Sequence, residues 1–89
     1  MALRNNTAQN RYELEVDGET ANLHYRLKPG VITLQHTEVP PELGGRGIGS
    51  RLVREVLEDV RTRGLKVVAA CPFVRGFLGK HPEYNDLLQ

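Results

Sequence analysis

The sequence holds no tryptophan, one methionine and one cysteine, and aromatic side chains make up only 6% of it. A single cysteine cannot close an internal disulfide, so packing must hold the fold, and a reducing, cytoplasmic compartment fits. An excess of charge is also missing: 12 basic and 11 acidic residues leave a net charge of +1. That balance argues against a nucleic-acid partner, which would want a basic patch. No apolar run approaches the roughly 20 residues of a membrane span. The first residues, Met-Ala-Leu-Arg-Asn-Asn-Thr, lack the apolar stretch of a signal peptide. His24, His36, His81 and Cys71 are too scattered for metal-ligand spacing, so no metal is expected. Internal repeats, linkers and low-complexity tracts are absent as well. What remains is one domain, residues 1–89, with 39% hydrophobic residues to build a core. Chains this short bury a modest share of their surface, so a monomer or weak homodimer steadied by a ligand is expected.

Residues 1–10 are polar and read as a disordered lead-in. Tyr12, Leu14 and Val16 alternate with Glu13 and Glu15, the pattern of a half-buried strand. Asp17-Gly18 is a hairpin turn signal, and Ala21 to Leu27 alternate again. Lys28-Pro29-Gly30 makes a second turn before a third strand, Val31 to Val39, whose two faces are both partly apolar. Pro40-Pro41 stops it. From Gly47 to Arg63 the period becomes helical, with Ile48, Leu52, Val53, Val56, Leu57 and Val60 on one stripe. Arg51–Glu55, Arg54–Glu58 and Asp59–Arg63 are four-residue pairs on its flanks. Gly64 suits the helix end, and Leu65 to Ala70 is a short buried strand. A short helix over Arg75–Gly79 follows, and Pro82 breaks or starts an element. The fold class is α/β (α+β): a mixed, mostly antiparallel twisted sheet of four to five strands, one long helix and a short C-terminal helix. If the strands flanking the long helix share a sheet, they are parallel and the crossover is right-handed.

The stretch from Val39 to Val53 organises the rest. Four of the nine glycines fall at 44, 45, 47 and 49, between a strand and a helix. Glycine lets successive backbone N–H groups turn toward one point, and the helix start adds unpaired donors and partial positive charge. Together they form a phosphate-sized anion site. No Lys-Ser/Thr follows the glycines, which excludes a Walker A loop. The spacing also misses the dinucleotide fingerprint, so a pyrophosphate held mainly by backbone is expected.

Arg46-Gly47-Ile48-Gly49-Ser50-Arg51-Leu52 resembles motif A of the GNAT acetyltransferases, which is usually Gln/Arg-x-x-Gly-x-Gly/Ala. Gly47 and Gly49 match its small positions, and Gly44 falls where Gln or Arg is usual. With Cys71-Pro72 and His81-Pro82-Glu83-Tyr84, residues 31–88 resemble a minimal GNAT-like subgroup, the YjdJ or NATD type. The resemblance implies a truncated GNAT-like fold whose long helix is the motif-A helix. It implies acetyl-CoA, or coenzyme A, as cosubstrate. The cofactor-binding residues would be Val39, Gly44, Gly45, Arg46, Gly47, Ile48, Gly49, Ser50, Arg51 and Cys71. Arg46 and Arg51 would add charge to the phosphates, and pantetheine would sit where the two parallel strands splay apart.

The implied activity is N-acetyl transfer to an amine, with a small-molecule or protein acceptor. The amine must lose a proton, the carbonyl oxygen must be stabilised and the leaving thiolate takes a proton. Glu38 is the candidate base, with His36 on the same face. Cys71 lies where the thioester would, as a wall residue or as a nucleophile that takes the acetyl group first. Tyr84 is the candidate acid for the thiolate, and His81 lies nearby, either as a catalytic group or as part of a structural turn. The rival reading is a non-catalytic module that binds acetyl-CoA or CoA.

Overall fold

The computed structural model describes residues 2–89. Five strands form one sheet in the order β1-β2-β3-β4-β5. They are β1 (Ala2–Asn6), β2 (Arg11–Val16), β3 (Glu19–Lys28), β4 (Val31–Glu38) and β5 (Lys66–Ala69). Helix α1 (Ile48–Thr62) joins β4 to β5, and α2 (Pro72–Lys80) follows β5. Short 3₁₀ turns occupy Pro41–Leu43 and Pro82–Leu87. The first four strands are antiparallel neighbours, and β4 pairs β5 in parallel from Val31↔Lys66 to Leu34↔Ala69. This is the mixed, mostly antiparallel sheet that the alternation predicts.

The turns follow from their residues. Asp17 and Gly18 both take positive φ, 51° and 79°, which matches the twist of a two-residue hairpin. The apolar stripe of α1 is buried in full and lies on Tyr12, Leu14, Leu23, Ile32, Leu34 and Val67. Each large side chain so buried contributes about 1.5–3 kcal/mol. Tyr12 also donates its hydroxyl to Asp59 Oδ2 at 2.6 Å, a tie between β2 and α1. Of the three predicted helix pairs, Arg51–Glu55 and Asp59–Arg63 form, each at 2.8 Å. Arg54 lies over the Phe77 ring, 5.6 Å from its centre, while Glu58 accepts from Tyr84.

Two expectations are corrected. Residues 2–10 are ordered: β1 pairs β2 in register from Ala2↔Glu15 to Asn6↔Arg11. Met1 lies outside the described residues. Little of β1 is apolar, so its sequence hides the strand. Polar contacts hold it instead: Arg4 and Asn6 donate to Glu13, and Asn5 accepts from the Tyr25 hydroxyl at 2.7 Å. The C-terminal helix begins at Pro72 rather than Arg75. Proline at the first helical position has its fixed φ already suited and no N–H to waste.

Both helices share one face of the sheet. α2 and the turn after it flank α1 through Phe73 on Gly49, Tyr84 on Glu58 and Arg61 on Asp86. The opposite face carries no helix among the described residues. Its strands present Arg11, Glu13, Asn22, His24, His36 and Glu38, which the register sets side by side.

Candidate functional site

The glycine turn shapes the start of α1. Leu43 is buried and anchors the loop beneath it. Gly47 caps the helix at φ 70°, in the left-handed region, and no side chain caps α1. The first intrahelical bond is Arg51 N–H to Gly47 C=O at 3.1 Å. The amides of Ile48, Gly49 and Ser50 lie ahead of it, and the first turn has no acidic residue to compete for them. Gly49 serves a different need from Gly47. It is buried under the Phe73 ring, and a Cβ there would lie 2.8 Å from Phe73 Cζ. Beside this contact a groove of about 310 Å³ runs between α1 and α2. Ser50, Phe73, Gly76, Lys80 and His81 are among its lining residues.

Both candidate arginines are engaged by carboxylates. Arg46 reaches back to Asp17 of the β2–β3 turn at 2.8 Å, and Arg51 pairs with Glu55. Each pair is exposed and exchangeable, so an arriving phosphate competes with weak partners. Gly44 and Gly45 stand in the exposed part of the loop.

Strands β4 and β5 part after Leu34. The amides of Ala70 and Cys71 both donate to the Leu34 carbonyl, each at 3.0 Å, and pairing with β5 ends there. β4 continues to Glu38 against β3 alone. Tyr25 pairs Leu34 and His24 pairs His36, so Gln35 is a bulged residue. A bulge bends its strand and sharpens its twist, which explains why β4 turns away from β5 here.

Cys71 stands at this parting, buried, as the residue before α2. Its Sγ lies 3.5 Å from Thr37 Oγ1 across the gap. Burial pushes the thiol up, but the Thr37 hydroxyl and the amides of Val74 and Phe73 outweigh it, and the pKa falls below the ordinary value. The amides act electrostatically, without a capping bond to Sγ. A depressed pKa at a helix N-terminus is what makes a thiol reactive. Val39 is half-buried and packs against the core beside the parting.

The remaining candidates are dispersed. Thr37 faces the helices while Glu38 faces the open side, so Cys71 and Glu38 flank β4 from opposite faces. Glu38 Oε1 meets His24 Nε2 at 2.6 Å, and Oε2 lies 3.8 Å from His36 Nε2. The His24 contact holds the Glu38 carboxyl below its usual range. His81 lines the α1–α2 groove, stacks on Phe77 with ring centres 4.1 Å apart and lies 3.3 Å from Glu83. Tyr84 is not brought to the parting. Its ring is buried, and its hydroxyl donates to Glu58 Oε2 at 2.7 Å. Glu58 lies ten residues into α1, about 15 Å along the axis from its start.

Sequence reasoning missed Thr37, Phe73, Lys80 and His24. Thr37 could have been found from its place between His36 and Glu38 at a strand end, opposite in pleat to both. Phe73 and Lys80 gave no local signal, because only the packing of α2 on Gly49 brings them to the groove. Among the described residues no cluster of His, Cys, Asp or Glu could hold a metal, and no helix is long and apolar enough to cross a membrane.

A strand, a glycine turn, a helix with a bare N-terminus and a parallel strand that parts from the first together make a GNAT-like architecture. A family model for GCN5-related N-acetyl-transferase matches residues 11–87. Protein NATD1 of Bos taurus is 34% identical over 61 residues, which cover 66% of this chain and 54% of that protein. The Homo sapiens NATD1 shares the same identity and coverage. The chain thus spans about half the length of these relatives. Among solved structures, the NMR solution structure of a GCN5-like putative N-acetyltransferase from Staphylococcus aureus is similar, with TM-score 0.74 and 31% identity. That likeness covers 99% of this chain and 87% of the other. The chain belongs to the GCN5-related N-acetyltransferase family.

Proposed function

We propose that the protein is an acetyl-CoA-dependent N-acetyltransferase acting on an amine, with a protein or other bulky acceptor favoured. One observation carries the reading: the β4–β5 parting opens beside the bare N-terminus of α1, with the Cys71 thiol in it. The amides of Ile48, Gly49 and Ser50 would hold the pyrophosphate, and Lys80 would add charge from α2. The thioester would enter from the helix side, toward Cys71. The amine would approach from the open sheet face, where Glu38 stands ready to take its proton. No helix covers that face among the described residues, which leaves room for a large acceptor.

Two routes use the same residues. In direct transfer the amine attacks the thioester carbonyl and Cys71 is a wall. In the two-step route the Cys71 thiolate attacks first, its sulfur gaining the acetyl group as the coenzyme thiolate departs. The amine then takes the acetyl group and frees Cys71. A non-catalytic CoA-binding module is the second reading, and Tyr84 favours it, since its hydroxyl is committed to Glu58.

Calorimetric titration with acetyl-CoA, CoA and ATP tests the site. Both CoA species should bind and ATP should not; no binding removes the basis of the proposal. Transfer to an amine panel then separates enzyme from module. In the two-step route, labelled acetyl stays on the denatured wild type and C71A loses turnover while still binding CoA. An unlabelled wild type with an active C71A eliminates that route.

A further inference from the structure

On the open sheet face, Glu13 and Glu38 have opposite surroundings. Glu13 is buried and takes donors from Arg4, Asn6 and Arg11, so its oxygens are saturated. Glu38 is half exposed, and among the described residues its only close donor is His24, at 2.6 Å on Oε1. Its Oε2 faces His36 at 3.8 Å, beyond hydrogen-bond reach, and is free to accept. The two imidazoles stack, with ring centres 5.9 Å apart and planes 27° from parallel. The pleat explains the cluster: His24 and His36 are cross-strand partners, and Glu38 follows His36 by two residues on the same face. Arg11 of β2 is the other charged group acting on Glu38, and it is itself held by Glu13. These groups stand where β4 has lost β5 as a neighbour.

We propose that His24 is a positioning residue for proton removal: its Nε2–H fixes the Glu38 carboxylate at the β4–β5 parting, so that Oε2 takes the proton that the acceptor amine gives up. This rests on the acetyltransferase reading. An ammonium acceptor must lose two protons to become an amide. One ends on the departing thiolate, and the other passes from nitrogen to Glu38 Oε2 and then to solvent. Glu38 is the group that touches the amine; His24 acts through it. The side chains suit these parts. A carboxylate kept below its ordinary pKa stays in the accepting form, and an imidazole N–H held on one oxygen leaves the other for the amine. His36 is more exposed and farther from the carboxylate, so it flanks the pair without orienting it.

The test uses the full chain with H24A, H24Q, H36Q and E38Q. H24A removes the N–H donor, and H24Q keeps a neutral one near the place of the imidazole Nε2. The carboxyl resonance of Glu38, followed by carbon NMR against pH, should titrate below the ordinary range in wild type and move up in H24A, with H24Q between them. Its assignment is secured by its loss in E38Q. Transfer from acetyl-CoA to a lysine-bearing peptide should fall about tenfold or more in kcat for H24A, with KM for acetyl-CoA unchanged, and H24Q should recover part of the loss. The acid limb of H24A should move to higher pH, following Glu38. H36Q should change both readouts less, and added imidazole should restore part of the rate to H24A. An unmoved Glu38 titration in H24A, or an H24A with wild-type kcat and pH profile, overturns the role of His24 alone. A wild type that binds acetyl-CoA but acetylates no amine overturns the enzyme reading and this role with it.

Discussion

Tyr84 separates two accounts of the same residue, and Y84F decides between them. Its ring is buried at 3% exposure, and its hydroxyl donates to Glu58 at 2.7 Å. Arg61 lies over the ring, 5.6 Å from its centre. Burial and the Glu58 carboxylate raise the tyrosine pKa, so the phenol holds its proton at neutral pH. A hydrogen bond to a charged group contributes about 1.5–3 kcal/mol. Glu58 is exposed and its carboxylate regains water when the hydroxyl is removed, which brings Y84F to the bottom of that range or just below it, about 1–1.5 kcal/mol. For a domain of this size that is a fall of about 5–10 °C in Tm. Thermal unfolding by circular dichroism measures it, and E58Q in both backgrounds isolates the pair by its coupling energy. Acetyl transfer should survive in Y84F within a few-fold. A Y84F protein with unchanged Tm, intact acetyl-CoA binding and a kcat reduced about 10²-fold or more would refute the structural account. It would make Tyr84 the acid for the leaving thiolate.

G47V places a β-branched side chain at φ 70° with open space around its Cβ, so the expected loss is backbone strain of about 1–3 kcal/mol rather than a clash. The variant should fold with a lowered Tm and bind acetyl-CoA far more weakly by calorimetry; wild-type affinity would mean that the turn does not hold the pyrophosphate. Glu13 sets an acid dependence: its donors, Arg4 first, then Arg11 and Asn6, lower its pKa from 4.5 to about 2. A depressed carboxylate contributes stability that is complete above the unfolded pKa and is lost as pH falls through the folded one. Wild type should therefore lose stability between about pH 4.5 and 2 in denaturant melts, and E13Q should lack that slope while being less stable at neutral pH; a parallel acid response in the two proteins would refute the assignment.

Periodicity carried the fold because most elements bury one face. The stripe from Ile48 to Val60 and the alternation of Tyr12, Leu14 and Val16 both report a burial pattern directly. β1 was illegible for the same reason. Its residues are mostly polar, and it is held by polar partners on other strands, Glu13 and Tyr25, rather than by burial of an apolar face. The site divides in the same way. The bare helix start was legible, since glycine spacing is local and no acidic residue intervenes. Arg46 and Tyr84 were placed by proximity in sequence, yet Asp17 and Glu58 claim them through contacts that no spacing encodes. Cys71 was marked by position alone, and only the folded surroundings, Thr37 across the gap and the amides of Val74 and Phe73, show what lowers its pKa.

The bulge at Gln35 links these features. With regular pairing, β4 would keep its alternation past Leu34, and Thr37 would face away from the helices. Inserting one residue reverses the pleat beyond the bulge. Thr37 then joins the helix face, within 3.5 Å of the Cys71 sulfur, and Glu38 joins the open face beside His24. The same insertion bends β4 from β5 and ends their pairing at Leu34. One extra backbone residue thus places a thiol partner and a carboxylate on opposite sides of one strand and opens the gap between them. Deletion of Gln35 should leave the faces of residues 36–38 unchanged, because His36 then follows Leu34 in the register that already pairs it with His24. The bend should go with the bulge, so β4 should pair with β5 beyond Leu34 and close the gap beside Cys71. Amide NMR of the deleted chain would show the added β4–β5 contacts. A gap that persists there would refute the bulge as its cause.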